Sequence, residues 1–189
     1  IQIEMKRILI AGGSGLIGKS LSSYLTSKNY EISWLSRKPI QGAYPVYFWN
    51  PDKLEMDRDA LIKQDVIINL AGNSIGDGRW TTDRKTQILD SRIKAIQTLK
   101  QNIGSLDKKL PQLIQASAIG FYGNCDDKLV NEQDPVGKVD FLSQTCAIWE
   151  QEAKQFQEFV EKLSILRTGL YLSPNGGVWP KLIQTKKFR

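Results

Sequence analysis

The stretch ILIAGGSGLIG at residues 8–18 decides the fold predicted for this chain of 189 residues. A short apolar run leads directly into three glycines spaced three apart, Gly12, Gly15 and Gly18, and apolar residues with helical spacing follow. A buried strand, a glycine turn and an amphipathic helix, in that order, form the context in which G-x-x-G-x-x-G indicates a dinucleotide-binding turn.

Each part of this turn has a physical reason. Gly12 lets the chain leave the strand sharply, Gly15 lets the backbone approach a pyrophosphate, and Gly18 lets the helix pack closely on the sheet. The N–H groups of the first helical turn, at Leu16 and Ile17, then face the phosphates, and the helix dipole favours negative charge there. We therefore predict that these five residues bind a cofactor. The alternative is a glycine-rich turn that binds nothing.

Outward from this turn, short β-branched runs alternate with longer segments of helical period, which predicts βαβ units around a parallel sheet. Several of the runs are apolar throughout, as is typical of strands covered on both faces. We predict an α/β fold with a doubly wound parallel sheet. The predicted strands are residues 7–12, 30–36, 44–49, 65–72, 112–117 and 162–169. The predicted helices are residues 16–27, 82–103 and 141–160.

Composition narrows the function classes. The net charge is +6, but lysine and arginine are scattered along the chain without a basic block, so we expect no nucleic-acid partner. The absence of histidine excludes Ser/His and Cys/His triads and imidazole metal sites, and we expect no metal. Cys125 and Cys146 lack metal-ligand spacing, which favours reduced thiols and a cytoplasmic location. No apolar run approaches the roughly 20 residues that span a bilayer, so we expect no membrane partner.

The end of the second predicted strand indicates which dinucleotide binds. An acidic residue there would accept the ribose 2′-hydroxyl of NAD, whereas a cation would bind the 2′-phosphate of NADP. The sequence is WLSRKP, with Arg37 and Lys38 and no carboxylate nearby. Arginine can hold a phosphate through two parallel hydrogen bonds. The pair therefore favours NADP(H) over NAD; the alternative is a solvated Arg–Lys pair in a loop.

The fourth predicted strand ends in NLAG, at residues 69–72, beside the same crevice. Small side chains at Ala71 and Gly72 would leave room for the adenosine side of the cofactor. We assign Leu70, Ala71 and Gly72 to cofactor binding, with an ordinary turn as the alternative.

Six segments together resemble one protein family: GGSGLIG, SRKP, NLAG, SAIGFYG, FLSQTCAIWE and LRTGLYLSPNGG. They are similar to extended or atypical short-chain dehydrogenase/reductases, in the epimerase-like subgroup whose members are labelled nucleoside-diphosphate-sugar epimerases or cell-division inhibitors. The segment INLAGNSIGDGRWTTDRKTQILDSR, at residues 68–92, resembles the most distinctive stretch of that subgroup. The likeness covers residues 6–177.

The resemblance implies a strand order of 3-2-1-4-5-6, with NADP lying across the carboxyl ends of the strands. It also implies a small-molecule substrate, either a nucleotide sugar or another carbonyl or hydroxyl compound. Family members are longer and carry a C-terminal substrate lobe. We therefore expect residues 1–189 to form a single Rossmann-like domain with that lobe largely missing.

Active members of the family transfer a proton through a tyrosine in a Tyr-x-x-x-Lys pair. By the resemblance, the tyrosine position falls at Leu142 and the lysine position at Cys146. Leucine has no proton to give, and a thiol cannot supply a fixed positive charge. The sequence thus leaves two interpretations: an NADP(H)-dependent oxidoreductase or sugar epimerase, and a non-catalytic NADP(H)-binding redox sensor or interaction module.

Other polar groups are candidates for the missing chemistry. The family's serine aligns with Ala118, one residue from Ser117, and Tyr122 supplies a phenol nearby; we predict Ser117 and Tyr122 as catalytic candidates. Lys85 and Arg92 are seven residues apart and would share one helix face. That face is either a solvated cationic surface or a wall that binds an anion.

Overall fold

A computed structural model describes residues 5–137 and 140–186 of the chain. A seven-stranded sheet is flanked by helices, and a separate two-stranded sheet, with two residues in each strand, lies outside it. The strands are β1 (Arg7–Ala11), β2 (Glu31–Ser36), β3 (Val46–Asn50), β4 (Glu55–Met56), β5 (Val66–Asn69), β6 (Leu110–Ala118), β7 (Val160–Thr168), β8 (Leu172–Ser173) and β9 (Gly176–Gly177). The helices are α1 (Leu16–Ser27), α2 (Thr82–Ile103), α3 (Phe141–Lys154) and α4 (Trp179–Lys186).

The sheet has the order β4-β3-β2-β1-β5-β6-β7. Every neighbouring pair is parallel except β3–β4, which is a short antiparallel edge. Without β4, the six parallel strands follow the predicted 3-2-1-4-5-6 order, so the predicted fold is confirmed. In the centre, Ala11 at the end of β1 aligns with Leu35 of β2 and Asn69 of β5. The carboxyl ends of β1, β2 and β5 therefore meet at one edge.

Both faces of the sheet are covered, which explains the apolar runs in its strands. Alternate strand residues such as Leu9 and Ile67 pack beneath α2 and α3, against Ile96 and Trp149. The residues between them face α1 on the other side and form a second cluster, comprising Ile8, Ile10, Ile32, Trp34 and Ile68. No helix of the described chain has the length and apolar character needed to cross a bilayer.

Helix α3 has a defined start and ends earlier than the predicted residue 160. Asp140 accepts a hydrogen bond from the Ser143 amide at 2.8 Å, and the Ser143 hydroxyl accepts one from the Asp140 amide at 2.9 Å, which is a capping box. After Lys154 a single 3-10 turn, Gln155–Glu158, buries Phe156 completely. The chain then enters β7, so packing of Phe156 overrides the helical pattern.

Candidate dinucleotide-binding site

The turn between β1 and α1 shows why glycine occupies Gly12 and Gly18. Gly12 has φ +84°, and a Cβ there would lie 3.1 Å from the Leu70 carbonyl oxygen at the end of β5. A Cβ at Gly18 would lie 2.3 Å from the carbonyl oxygen of Gly12, so the helix rests on the turn without room for a side chain. Gly15 is the N-cap of α1, and its amide donates to the Gly12 carbonyl at 3.1 Å. No acidic residue lies in the first turn of α1, which suits it to an anion.

Gly13 is a fourth required glycine, and the fingerprint spacing does not predict it. A Cβ at Gly13 would lie 2.2 Å from the Trp34 ring. Trp34 is buried on β2, and its indole N–H donates to the Ser22 hydroxyl of α1 at 2.8 Å. This hydrogen bond holds the bulky ring against the turn, so the adjacent backbone position has space only for hydrogen.

A cleft of about 1120 Å³ runs along the carboxyl edge from this turn to the end of β2. It contains seven of the predicted cofactor residues, Gly12, Gly15, Arg37, Lys38, Leu70, Ala71 and Gly72. Leu16, Ile17 and Gly18, in the first turn of α1, are not among the residues that line the cleft. The cofactor role of all ten residues stays a prediction, but their placement differs: the turn and the two strand ends face the cleft, whereas Gly18 supports the turn from the helix side.

Arg37 and Lys38 line the cleft at the end of β2, the strand next to β1. Both side chains are exposed, and neither forms an ion pair within residues 5–137 and 140–186. The Ser36 hydroxyl accepts a hydrogen bond from the Lys38 amide at 3.2 Å and so shapes this bend. Two cations without carboxylate partners at this position can bind a phosphate without first breaking an ion pair.

Helix α2 and the turn after β3 also line the cleft, and the sequence predicts none of their residues as cofactor-binding. Gln87, Asp90, Ser91 and Lys94 line the cleft from α2. The Lys94 ammonium lies 3.0 Å from the Asp52 carboxylate across the end of the cleft, and both side chains remain partly exposed. Gln87, Asp90 and Ser91 fall within residues 68–92, the segment that resembles the most distinctive stretch of the family, and Lys94 follows that segment on α2.

The two positions expected to hold the tyrosine and lysine lie together at the end of β6. The Cβ of Leu142 and the Sγ of Cys146 lie 3.6 and 3.7 Å from where a Cβ on Gly120 would be. Burial raises the pKa of the Cys146 thiol, while a backbone hydrogen bond at Ala118 and the charge of Arg92 act in the opposite direction. Leu142 therefore places an aliphatic side chain where the tyrosine would donate a proton. Cys146 places a protonated thiol where the lysine would supply a positive charge.

Ser117 and Tyr122 belong to a buried polar network. The Ser117 hydroxyl donates to Glu150 Oε1 at 2.6 Å, and the Tyr122 hydroxyl accepts from Arg167 Nη1 at 2.8 Å. Arg167 also packs over the Phe121 ring, 3.6 Å from its centroid. Burial acts to raise the pKa of Glu150, but hydrogen bonds from Arg167 and Ser117 outweigh it and lower the pKa overall. The catalytic role of Ser117 and Tyr122 stays a prediction, and both hydroxyls are engaged within the protein.

The sequence profile of the NAD-dependent epimerase/dehydratase family matches residues 8–148. The chain belongs to this family. An epimerase family protein of Mycobacterium bovis, Mb2239, is 36% identical over 171 residues, which is 90% of this chain and 56% of that protein. The chain thus spans little more than half the length of this relative.

Two solved structures of epimerase-family proteins share the fold of this chain. The nucleoside-diphosphate sugar epimerase of Corynebacterium glutamicum superposes with a TM-score of 0.81 at 29% identity, covering 97% of this chain and 38% of that one. Human epimerase family protein SDR39U1, crystallised with NADPH, superposes with a TM-score of 0.78 at 24% identity, covering 96% of this chain and 60% of that one. The human protein supports the fold alone at this identity.

The spacing of Lys85 and Arg92 suggests a solvated cationic face as one alternative. In this epimerase-family chain the two side chains do not form such a face. Arg92 is half-buried: its guanidinium packs 4.9 Å from the Trp149 ring centroid, and Nη1 donates to the carbonyls of Asn73 and Ile88. Lys85 is also half-buried and lies over the ring of Phe141. Packing of both side chains against aromatic rings of α3, with the Asn73 carbonyl also bound by Arg92, leaves the two cations only partly exposed. Across the described ranges, His, Cys, Asp and Glu side chains form no group that could hold a metal ion.

Proposed function

We propose that this chain binds NADP(H) and serves hydride transfer between that cofactor and a small carbonyl or hydroxyl compound, with nucleotide sugars as one substrate class. The observation that carries the proposal is that two features line one cleft. The glycine turn at Gly12 and Gly15 lets a pyrophosphate approach the N-terminus of α1, and Arg37 with Lys38 offers unpaired positive charge to a 2′-phosphate.

The residues present fit such a cofactor. Arg37 would hold the 2′-phosphate, and Lys38 would add charge beside it. Leu70, Ala71 and Gly72 would lie beneath the adenosine half, with the Lys94–Asp52 ion pair at its outer end. When bound, the nicotinamide would accept or donate a hydride; the chain's own part is to orient it at the carboxyl edge and to exclude water from it.

Relatives support the chemical class. The Corynebacterium glutamicum relative is a nucleoside-diphosphate sugar epimerase, and the family description names NAD. Our choice of NADP over NAD therefore depends on Arg37 and Lys38 of this chain. Cys125 and Cys146 are free thiols, and we propose a cytoplasmic location, with no nucleic-acid or membrane partner.

A second function has a specific observation in its favour. Leu142 and Cys146 contact the end of β6 at the positions that the resemblance assigns to the proton donor and its cation. A chain with this pair would bind the cofactor without passing a proton to a substrate. The second proposal is therefore a non-catalytic NADP(H)-binding redox sensor or interaction module.

Deuterium transfer separates the two proposals. The protein is saturated with NADPH that carries deuterium at C4 of the nicotinamide. It is then incubated with a panel of aldehydes, ketones and nucleotide-linked keto-sugars, and the products are analysed by mass spectrometry. The enzyme proposal predicts a product with deuterium on the former carbonyl carbon, together with an equal amount of NADP+. Saturating NADPH binding without deuterium in any product would favour the sensor.

A further inference from the structure

Three side chains meet at the carboxyl edge of the sheet, between the segment after β5 and the start of α3. The ring centroids of Trp80 and Phe141 are 5.3 Å apart, with the planes at 67°. The Lys85 ammonium lies 5.4 Å from the Phe141 ring centroid. We call Trp80, Lys85 and Phe141 the aromatic corner. None of the three is used in the proposed cofactor site.

The segment that carries Trp80 is tied to α2 by arginine side chains. Arg84 Nη2 donates to the Ser74 carbonyl at 2.6 Å, and Arg92 Nη1 donates to the Asn73 carbonyl at 3.1 Å. Charge-assisted hydrogen bonds of this kind are stronger than neutral ones. The segment is therefore held in one conformation before any ligand arrives, which lowers the entropic cost of binding there.

The aromatic corner offers a ring face and a positive charge. Trp80 is 41% exposed, and its indole N–H already donates to the Ile75 carbonyl at 2.8 Å, so the ring surface is what it can present. Lys85 makes no ion pair with any carboxylate in the described part of the chain. A lysine without a carboxylate partner, beside exposed aromatic surface, suits a ligand that is both flat and negative.

We propose that the aromatic corner binds a planar carboxylate, that is, an aromatic or conjugated acid whose ring lies on Trp80 and whose carboxylate meets Lys85. Phe141 precedes Leu142, which contacts the end of β6 near Gly120. A ligand at the corner would thus lie beside the position expected of the proton donor. Its use as the substrate rests on the proposed function; the binding itself does not.

The indole N–H signal of Trp80 is a direct probe of this site. Nitrogen-15-labelled protein is titrated with 2-naphthoate, with and without NADPH, and Trp80→Phe identifies the Trp80 resonance by its disappearance. We expect a saturable shift of that resonance by 2-naphthoate. The neutral analogue 2-naphthamide should bind about tenfold more weakly, because its carbonyl carries no net charge and cannot form an ion pair with Lys85.

Variants at Lys85 test the charge. Lys85→Gln should abolish the preference for 2-naphthoate over 2-naphthamide, and Lys85→Arg should retain it. Lys109→Gln removes an equal charge at the opposite edge of the sheet and should change neither affinity. Equal affinities for acid and amide in the unchanged chain, or an unaltered preference in Lys85→Gln, would overturn the proposal. NADPH binding is measured on the same samples. If the unchanged chain binds NADPH but not 2-naphthoate, the result contradicts the aromatic corner and leaves the proposed function standing.

Discussion

Arg167 holds the Glu150 carboxylate through two hydrogen bonds, from Nε to Oε1 at 2.8 Å and from Nη2 to Oε2 at 2.9 Å. The pair joins β7 to α3, and both side chains are largely enclosed, with 18% and 5% of their surfaces exposed. Ser117 of β6 donates to the same carboxylate. One carboxylate thus connects three elements directly behind the carboxyl edge, where the nicotinamide end of the cofactor is proposed to lie.

Glu150→Ala should destabilise the fold strongly, because it leaves the Arg167 guanidinium without its counter-ion. Removing one partner of a buried ion pair costs about 3–5 kcal/mol of unfolding free energy. Urea denaturation monitored by circular dichroism measures this loss of unfolding free energy. Glu161→Ala, at an exposed position on β7, is the matched control and should change stability by less than about 0.5 kcal/mol. A Glu150→Ala effect no larger than the control would contradict this role of the pair.

The lowered pKa of Glu150 makes its stabilising effect depend on pH. In the unfolded chain a glutamate titrates near 4.3, so the effect is fully present above about pH 5 and is lost as pH falls through the lower folded pKa. Glu150→Gln has no group to titrate at this position. We expect the stability difference between the unchanged chain and Glu150→Gln to shrink as pH is lowered from 6 to 3. A difference that stays constant or grows would show that the carboxylate is not held in its charged form.

Gly18→Ala should disrupt the turn that is proposed to bind the pyrophosphate. The new Cβ would lie 2.3 Å from the Gly12 carbonyl oxygen, so the turn or the helix has to shift, at a cost of roughly 1–3 kcal/mol. We expect a lower melting temperature and loss of most NADPH affinity. Gly42→Ala is the control, because a Cβ there meets no atom within 4 Å. Unchanged NADPH affinity in Gly18→Ala would contradict the proposal that this turn binds the cofactor.

The parts of the fold with strong local patterns are predictable from sequence. Helices α1 and α2 have the predicted bounds because their apolar stripes and end signals agree, and all six parallel strands are present. The two-residue strand β4 is too short to show such a pattern; Glu55 and Met56 pair with Asn50 and Trp49 across a short hairpin turn. The early end of α3 likewise depends on burial of Phe156.

The polar contacts of the site follow less from sequence. Glycine spacing predicts Gly12, Gly15 and Gly18, whereas the need for glycine at Gly13 comes from the Trp34 ring on another strand. Arg92 has the spacing of a solvated helix residue, yet it packs on Trp149 of α3 and donates to the Asn73 carbonyl of the segment after β5. Such contacts join residues far apart in the chain, and no local pattern encodes them.

The central claim is that Arg37 recognises a 2′-phosphate, and calorimetric titration of the chain with NADPH and with NADH tests it most directly. NADPH should bind about ten- to a hundredfold more tightly, the range expected for hydrogen bonds to charged groups. Arg37→Ala should remove most of that difference while leaving NADH affinity unchanged, and Lys109→Ala, which alters net charge equally, should leave the difference intact. Equal affinities for NADPH and NADH in the unchanged chain would contradict the claim.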